Sequence, residues 1–131
     1  MKVLALDFGR ARTGVAVSDP TGTVARPLGV VEAASTEHGL ARIEELVAEH
    51  DPQEIVVGLP LTMRGDRGEQ AFETETFVER LAARISIPVV TFDERFTTDL
   101  AQQTPRGSAE DARAAAHLLS SYLACSNGAR A

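Results

Sequence analysis

The first third of the chain consists of short apolar runs separated by turns rich in glycine and proline, a pattern typical of β-strands. The predicted strands are Val3–Asp7, Thr13–Ser18 and Val24–Val31, the last interrupted at Pro27. Strand alternation puts Asp7 on the same face as Val3 and Ala5. Because the connections between these strands are short, we expect an antiparallel meander.

Beyond this meander, helical spacing of apolar residues alternates with single strands. Helices are predicted from Ser35 or Thr36 to His50, over Glu69–Arg84, near Thr98–Gln103, and over Ser108–Cys125. The intervening strands are Ile55–Val57 and Val89–Phe92. Alternating strands and helices favour parallel pairing. The expected fold is therefore an α/β domain spanning residues 1–131, with a five-stranded mixed sheet flanked by helices.

Composition limits the class of protein but not its partner. The 131 residues fit one domain, and no apolar run approaches the roughly 20 residues that span a bilayer. The lone Cys125 cannot form an internal disulfide, so we expect a soluble, cytoplasmic protein without membrane attachment. A net charge of -6 argues against a passive nucleic-acid coat but not against a metal-dependent nuclease.

Acidic residues follow two of the strands that should lie side by side. Ligands of such sheets bind beyond the carboxyl ends of parallel strands. Asp7 ends an apolar strand, and Glu94 comes two residues after another. Each has an alternative role: Asp7 could hydrogen bond within the turn at Gly9, and Glu94 could pair with Arg95. Residue spacing leaves both alternatives open.

A third acid, Asp111, stands at the head of the last helix. The segment Ser108–Asp111 has the spacing of an acid-closed helix cap, so Asp111 could simply stabilise the first turn. Helical geometry also places Asp111 on the face of Ala115, Leu118 and Tyr122, which should face the core. Arg113 and His117 point away from that face. We therefore expect His117 at the surface or rim, not as a metal ligand.

Three converging carboxylates without a basic partner among them would repel one another at neutral pH. Oxygen ligands of this kind suit Mg²⁺ or Mn²⁺. Two such ions about 3.5–4 Å apart can activate water and stabilise the leaving oxygen in phosphodiester cleavage. Asp7, Glu94 and Asp111 therefore favour the hypothesis of a nuclease, for which the spacing of these residues alone is weak support.

The chain resembles the YqgF/RuvX family in four segments that occur in the family's order. They are LDFGRARTGVAVSD at 6–19, IVVGLPLTMRGDRGEQA at 55–71, FDERFTT at 92–98 and EDARAAAHLLSSYL at 110–123. Members are RNase H-like proteins related to RuvC resolvases, described as pre-16S rRNA nucleases or Holliday-junction resolvases. The resemblance covers nearly the whole chain and implies an RNase H-like metal-dependent endonuclease, hydrolysing phosphodiester bonds in structured RNA or branched DNA.

The resemblance also implies roles for individual residues. The family's acidic triad falls on Asp7, Glu94 and Asp111, with Asp7 contacting two Mg²⁺ or Mn²⁺ ions and the others one each. Arg12 and Arg95 occupy motif positions that imply phosphate contact or charge stabilisation. A solvated turn is the alternative for Arg12, and a salt bridge to Asp93 or Glu94 is the alternative for Arg95.

Two loops bear on the substrate. The loop of residues 62–68 would border the groove, where Arg64 and Arg67 can reach backbone phosphates. Family members usually carry a longer and more basic stretch before the last helix, whereas this chain has AQQTPRGSAE at 101–110, with Arg106 as its single cation. We therefore expect this chain to lack any contact with a branched junction that the longer stretch makes in other family members.

Two rival functions belong to other classes. One is a non-catalytic RNA- or protein-binding module of the same fold. The three acids Asp7, Glu94 and Asp111 argue against it, because such a module has no need of carboxylates that repel one another. The other is nucleotide binding, because the DFGRARTGVAVSD segment is similar to the phosphate loop of the actin and sugar-kinase fold. Those proteins close a nucleotide between two lobes, and 131 residues make only one. A monomer and a homodimer are both compatible with the sequence.

Overall fold

The computed structural model describes residues 1–61, 64–96 and 108–130, which form five strands, three α-helices and one 3₁₀ turn. The elements are β1 (Val3–Asp7), β2 (Arg12–Ser18), β3 (Ala25–Glu32), α1 (Glu37–His50), β4 (Glu54–Leu59), α2 (Glu69–Ala82), β5 (Val89–Asp93), the 3₁₀ turn Glu94–Phe96, and α3 (Ser108–Arg130). The short helix expected near Thr98–Gln103 lies outside the described residues. Within the described part of the chain, no helix has the length and apolar character needed to cross a bilayer.

All five strands belong to one mixed sheet in the order β3-β2-β1-β4-β5. β2 pairs antiparallel with β1 and β3, whereas β4 pairs parallel with β1 and β5. The meander followed by parallel strands is thus confirmed. β1 is central, and its carboxyl end lies between β2 and β4.

The sheet is covered on both faces, and the alternation along β1 separates the two cores. Leu4 and Leu6 belong to the core that includes buried residues of α1 and α2. Val3 and Ala5 belong to the core that includes the buried face of α3. By the same alternation, Asp7 is on the α3 side of the sheet. The start of α3 is therefore the helical segment that can supply a partner for this acid.

Two details differ from the sequence pattern. Pro27 is predicted to interrupt the third strand, but β3 continues through it. β3 is an edge strand, and its register with β2 shifts between Val15 and Ala16, so a residue without an N–H is tolerated there. α3 extends to Arg130, beyond the predicted end at Cys125. The predicted cap of α1 is confirmed, since the Thr36 hydroxyl accepts a hydrogen bond from the Gly39 amide.

The α3 backbone lies very close to the sheet at Gly14, the residue of β2 that pairs with Asp7. A Cβ atom placed on Gly14 would lie 1.8 Å from the carbonyl oxygen of Asp111. The absence of a side chain at Gly14 therefore lets the first turn of α3 rest against β2. This contact brings Asp111 to the same end of the sheet as Asp7.

We predict that Gly14→Ala lowers the free energy of unfolding by at least about 2 kcal/mol, because the added methyl group must push the α3 backbone away from β2. Urea denaturation followed by circular dichroism measures the change. Ser120→Ala, on the exposed side of α3, is the control and should stay within about 0.5 kcal/mol of the wild type. An unchanged midpoint for Gly14→Ala would contradict the close packing.

Candidate active site

The structure brings the three predicted acids to one cavity of about 660 Å³, which Asp7, Glu94 and Asp111 all line. Asp7 ends the central strand β1, Glu94 opens the 3₁₀ turn after β5, and Asp111 lies in the first turn of α3. Three separate elements therefore contribute one carboxylate each.

Asp7 is half-buried at the end of an otherwise fully buried strand. A carboxylate there is desolvated in part, which is unfavourable unless hydrogen bonds or a cation compensate it. In the following turn, the amide of Gly9 donates a hydrogen bond to Thr13 Oγ1 at 3.4 Å. Thr13 is thus a side-chain partner of this turn, and both roles expected of Asp7 stay predictions.

Glu94 reaches the cavity across β4, the parallel neighbour of β1. A Cβ atom on Gly58 would lie 2.6 Å from Oε1 of Glu94 and 2.9 Å from its Cγ. Gly58 follows Val57, which pairs with Leu6, so it lies beside the end of β1. A residue with a side chain at position 58 would occupy the space that the Glu94 carboxylate uses.

Asp111 is buried, with 8% of its surface exposed. Its helix face continues through the buried Ala115 and Leu118, as the periodicity predicts. Arg113 is exposed and His117 is half-buried, consistent with their expected positions away from that face. The side chain of Ser108 lies outside what the structure describes, so the reciprocal helix cap stays a prediction.

Asp111 has a basic partner that the sequence reasoning missed. Nε of Arg12 lies 2.9 Å from Oδ2 of Asp111, with 39% of the Arg12 side chain and 12% of the Asp111 side chain exposed. The expectation that no arginine accompanies the acids is therefore wrong for Asp111. Arg12 is likewise more than a solvated turn residue, because β2 begins at Arg12 and its side chain lines the same cavity.

Within residues 1–61, 64–96 and 108–130, no three side chains of Asp, Glu, His or Cys lie close enough to one another to hold a metal ion. The chemistry of the three carboxylates nevertheless fits a hard divalent cation, since all three supply oxygen donors to the lining of one cavity. The ion pair with Arg12 engages one of these donors, so a metal at Asp111 would have to compete with the guanidinium.

Arg95 forms the salt bridge to Asp93 that was one of its two sequence-based alternatives. Its Nε lies 2.9 Å from Oδ2 of Asp93, its Nη2 lies 2.6 Å from the same atom, and its amide donates to Oδ1. These hydrogen bonds lower the pKa of Asp93 and raise that of Arg95. The pair holds the turn that carries Glu94, and phosphate contact by Arg95 stays a prediction.

Arg64 and Arg67, the other arginines predicted to contact phosphate, do not line the acidic cavity. Arg64 and Arg67 are exposed, and Nη2 of Arg67 lies 3.3 Å from Oε2 of Glu75. Neither is among the described residues that line the acidic cavity. Arg106, in the short segment before α3, lies outside the described residues. Arg12 is therefore the predicted phosphate-binding arginine that the structure brings to the acids.

Sequence reasoning also missed Arg10, which lines the cavity from the turn between β1 and β2. Its guanidinium hydrogen bonds through Nε to Oε2 of Glu73 at 2.8 Å and lies 3.5 Å from Oε1 of Glu69. The hydrogen bond to Glu73 raises the pKa of Arg10 and lowers that of Glu73. The turn is thereby tied to α2, a contact over 63 residues that no local pattern reveals.

Comparison of sequences gives one consistent group of relatives. The family model described as "RuvX: Holliday junction resolvase" matches residues 1–125. A Chloroflexus aggregans protein is 47% identical over 104 residues, which are 79% of this chain and 73% of that protein. A Listeria monocytogenes protein is 36% identical over 138 residues, covering 97% of this chain and all of that protein. Both relatives are named "Putative pre-16S rRNA nuclease".

Comparison of structures identifies the fold. Thermus thermophilus RuvC, solved in complex with a Holliday junction substrate, superimposes with a TM-score of 0.61 at 21% identity. The match covers 98% of this chain and 96% of that one. A second structure of the same RuvC gives a TM-score of 0.62 at 18% identity. At this identity the likeness concerns the fold alone, which is the RNase H-like fold that the sequence predicts. The match of the family model over residues 1–125 shows that the chain belongs to the RuvX (YqgF) family.

Proposed function

We propose that residues 1–131 act as one metal-dependent endonuclease domain that hydrolyses phosphodiester bonds in the precursor of 16S rRNA, in the cytoplasm. The proposal rests on one observation: Asp7, Glu94 and Asp111, which belong to three different elements, line the same cavity. The names of the relatives support the choice of a nuclease and of this RNA. A non-catalytic module of this fold would have no need for three carboxylates at one sheet edge.

Asp7, Glu94 and Asp111 would hold the divalent ions. Bound Mg²⁺ or Mn²⁺ supplies a water of lowered pKa and charge stabilisation at the phosphate. The protein's own part is to fix the acids. β1 fixes Asp7, the contact with Gly58 fixes Glu94, and the packing of α3 on Gly14 fixes Asp111.

Arg12 is the residue placed to bind the phosphate group. It lines the cavity beside Asp111, and guanidinium groups suit forked contacts to phosphate oxygens. If Asp111 also holds a divalent ion, the Arg12 side chain would be available to the substrate. Arg12 would thus neutralise Asp111 while no substrate is bound, and it would bind the scissile phosphate when the substrate is present.

A second candidate function is resolution of branched DNA. The description of the matching family model and the RuvC-like fold favour it. Such a reaction requires two symmetric cuts and therefore a dimer. The stretch before α3 is short and carries Arg106 as its single cation, which favours structured RNA over a four-way junction.

We predict that the protein cleaves an RNA spanning the 5′ end of 16S rRNA in Mn²⁺ or Mg²⁺, and that Asp7→Asn abolishes this cleavage without loss of fold. The amide keeps the shape of the side chain but removes the charge that the metal needs. Gel analysis of end-labelled RNA measures cleavage, and circular dichroism checks the fold.

Asp51→Asn is the matched control for this experiment. Asp51 is exposed at the end of α1 with a φ of 50°, a conformation that asparagine tolerates, so full cleavage is expected. Equal cleavage by wild type and Asp7→Asn would contradict the proposal. Cleavage of a four-way DNA junction, without cleavage of the RNA, would favour the resolvase instead.

We also predict that Arg12→Ala binds Mn²⁺ about two- to fivefold more tightly than the wild type, because the metal no longer competes with the guanidinium for Asp111. Titration calorimetry without substrate measures this affinity. Arg113→Ala, which removes an exposed arginine two residues from Asp111, is the control and should change the affinity less. Weaker Mn²⁺ binding by Arg12→Ala would show that the arginine does not compete for the acid.

A further inference from the structure

Phe72 exposes an aromatic ring beside the candidate active site. It lies in the first turns of α2, and 62% of its surface is exposed, while the neighbouring Ala71 and the later Phe77 are buried. The packing of α2 on the sheet therefore makes no use of this ring. A single exposed apolar side chain needs no explanation by itself, so its surroundings decide whether it has a role.

The surroundings of Phe72 form a second cavity, of about 630 Å³. This cavity adjoins the acidic one, because both are lined by Phe8, Arg10, Glu69 and Glu73. Phe72 lines the second cavity only. A strand of nucleic acid whose phosphate lies among the acids would therefore have a neighbouring nucleotide within reach of this ring.

The polar side chains that line the second cavity suit a nucleotide better than they suit a protein surface. Arg10 stands on the side shared with the acids, and Arg80, hydrogen bonded to the Ser35 carbonyl, lines the cavity together with Thr76. Each arginine also forms an ion pair with a glutamate, Arg10 with Glu73 and Arg80 with Glu37. A base offers an apolar face to a ring and a polar edge to such groups.

The apolar area at Phe72 is too small for a protein partner. The large hydrophobic residues that are exposed in the described part of the chain are Met1, Val24 and Phe72. Met1 and Val24 do not line this cavity, so Phe72 is not part of a larger apolar patch. A stable protein interface takes about 800 Å² from each partner. One exposed ring, in a groove that arginine, glutamate, serine and threonine side chains also line, suits a single stacked base instead.

We propose that the groove of Phe72, Arg10 and Arg80 is a subsite for one unstacked base of a single-stranded segment, next to the phosphate that is cleaved. The base stacks on Phe72, and the arginines border its sugar and phosphate. The subsite rests on the proposed nuclease function, and it gives that function a preference for single-stranded over fully paired substrate near the cut.

The test uses a single-stranded RNA that carries 2-aminopurine, whose fluorescence is quenched when the base stacks. Binding is measured in Ca²⁺, and a gel verifies that the RNA stays intact. Phe72→Ala should weaken binding by at least about fivefold and lose the quench at one position of the RNA. Phe72→Tyr should keep both, because it keeps a ring that can stack.

Val24→Ala is the matched control, since Val24 is as exposed as Phe72 but lies elsewhere. It should bind like the wild type, and neither alanine variant should change the melting temperature appreciably. Fully paired RNA should bind Phe72→Ala and wild type alike. Equal binding and quench in wild type and Phe72→Ala would overturn the subsite, as would a dimer, seen by light scattering, that only Phe72→Ala disrupts.

The two proposals fail separately. If Asp7-dependent cleavage is observed but Phe72→Ala leaves binding and quench unchanged, the subsite is overturned and the nuclease stands. If Phe72-dependent stacking is observed but the RNA is never cleaved in Mn²⁺ or Mg²⁺, the groove still binds a base and the nuclease proposal fails.

Discussion

Two close contacts at glycines bring the acids together at the end of β1. Gly14 on one neighbouring strand lets the α3 backbone at Asp111 rest against the sheet, and Gly58 on the other gives room to the Glu94 carboxylate. Asp7 ends the strand between them. Because a Cβ at either glycine would collide with these groups, the cavity depends on two residues that carry no chemistry themselves.

The acids also have to be held near one another against their mutual repulsion. Arg12 supplies a positive charge at Asp111, and under the proposed function a divalent cation would replace it there. The neighbouring pairs have a different part, since Arg10 with Glu73 ties the turn after β1 to α2, and Arg95 with Asp93 braces the turn of Glu94. These contacts make the edge of the sheet a charged site whose backbone is held in place.

Much of this could be predicted from the sequence, because it depends on periodicity. The alternation of β1 puts Asp7 on the α3 side, and the helical repeat puts Asp111 on the buried face with Ala115. The contacts that position the side chains could not be predicted in the same way. The pairing of Arg12 with Asp111 joins residues 99 positions apart, and the packing of Gly58 under Glu94 requires the register between β4 and β5. Such contacts follow from the tertiary fold, which local patterns do not encode.

The central claim is that Asp7, Glu94 and Asp111 together form a divalent-metal site. A crystal of the protein soaked in Mn²⁺, with anomalous diffraction recorded at the manganese edge, tests it most directly. Anomalous peaks are expected between the three carboxylates, with Asp7 bound to the metal and the Arg12 guanidinium displaced from Asp111. Saturating Mn²⁺ that leaves Arg12 on Asp111, with no peak at these acids, would contradict it.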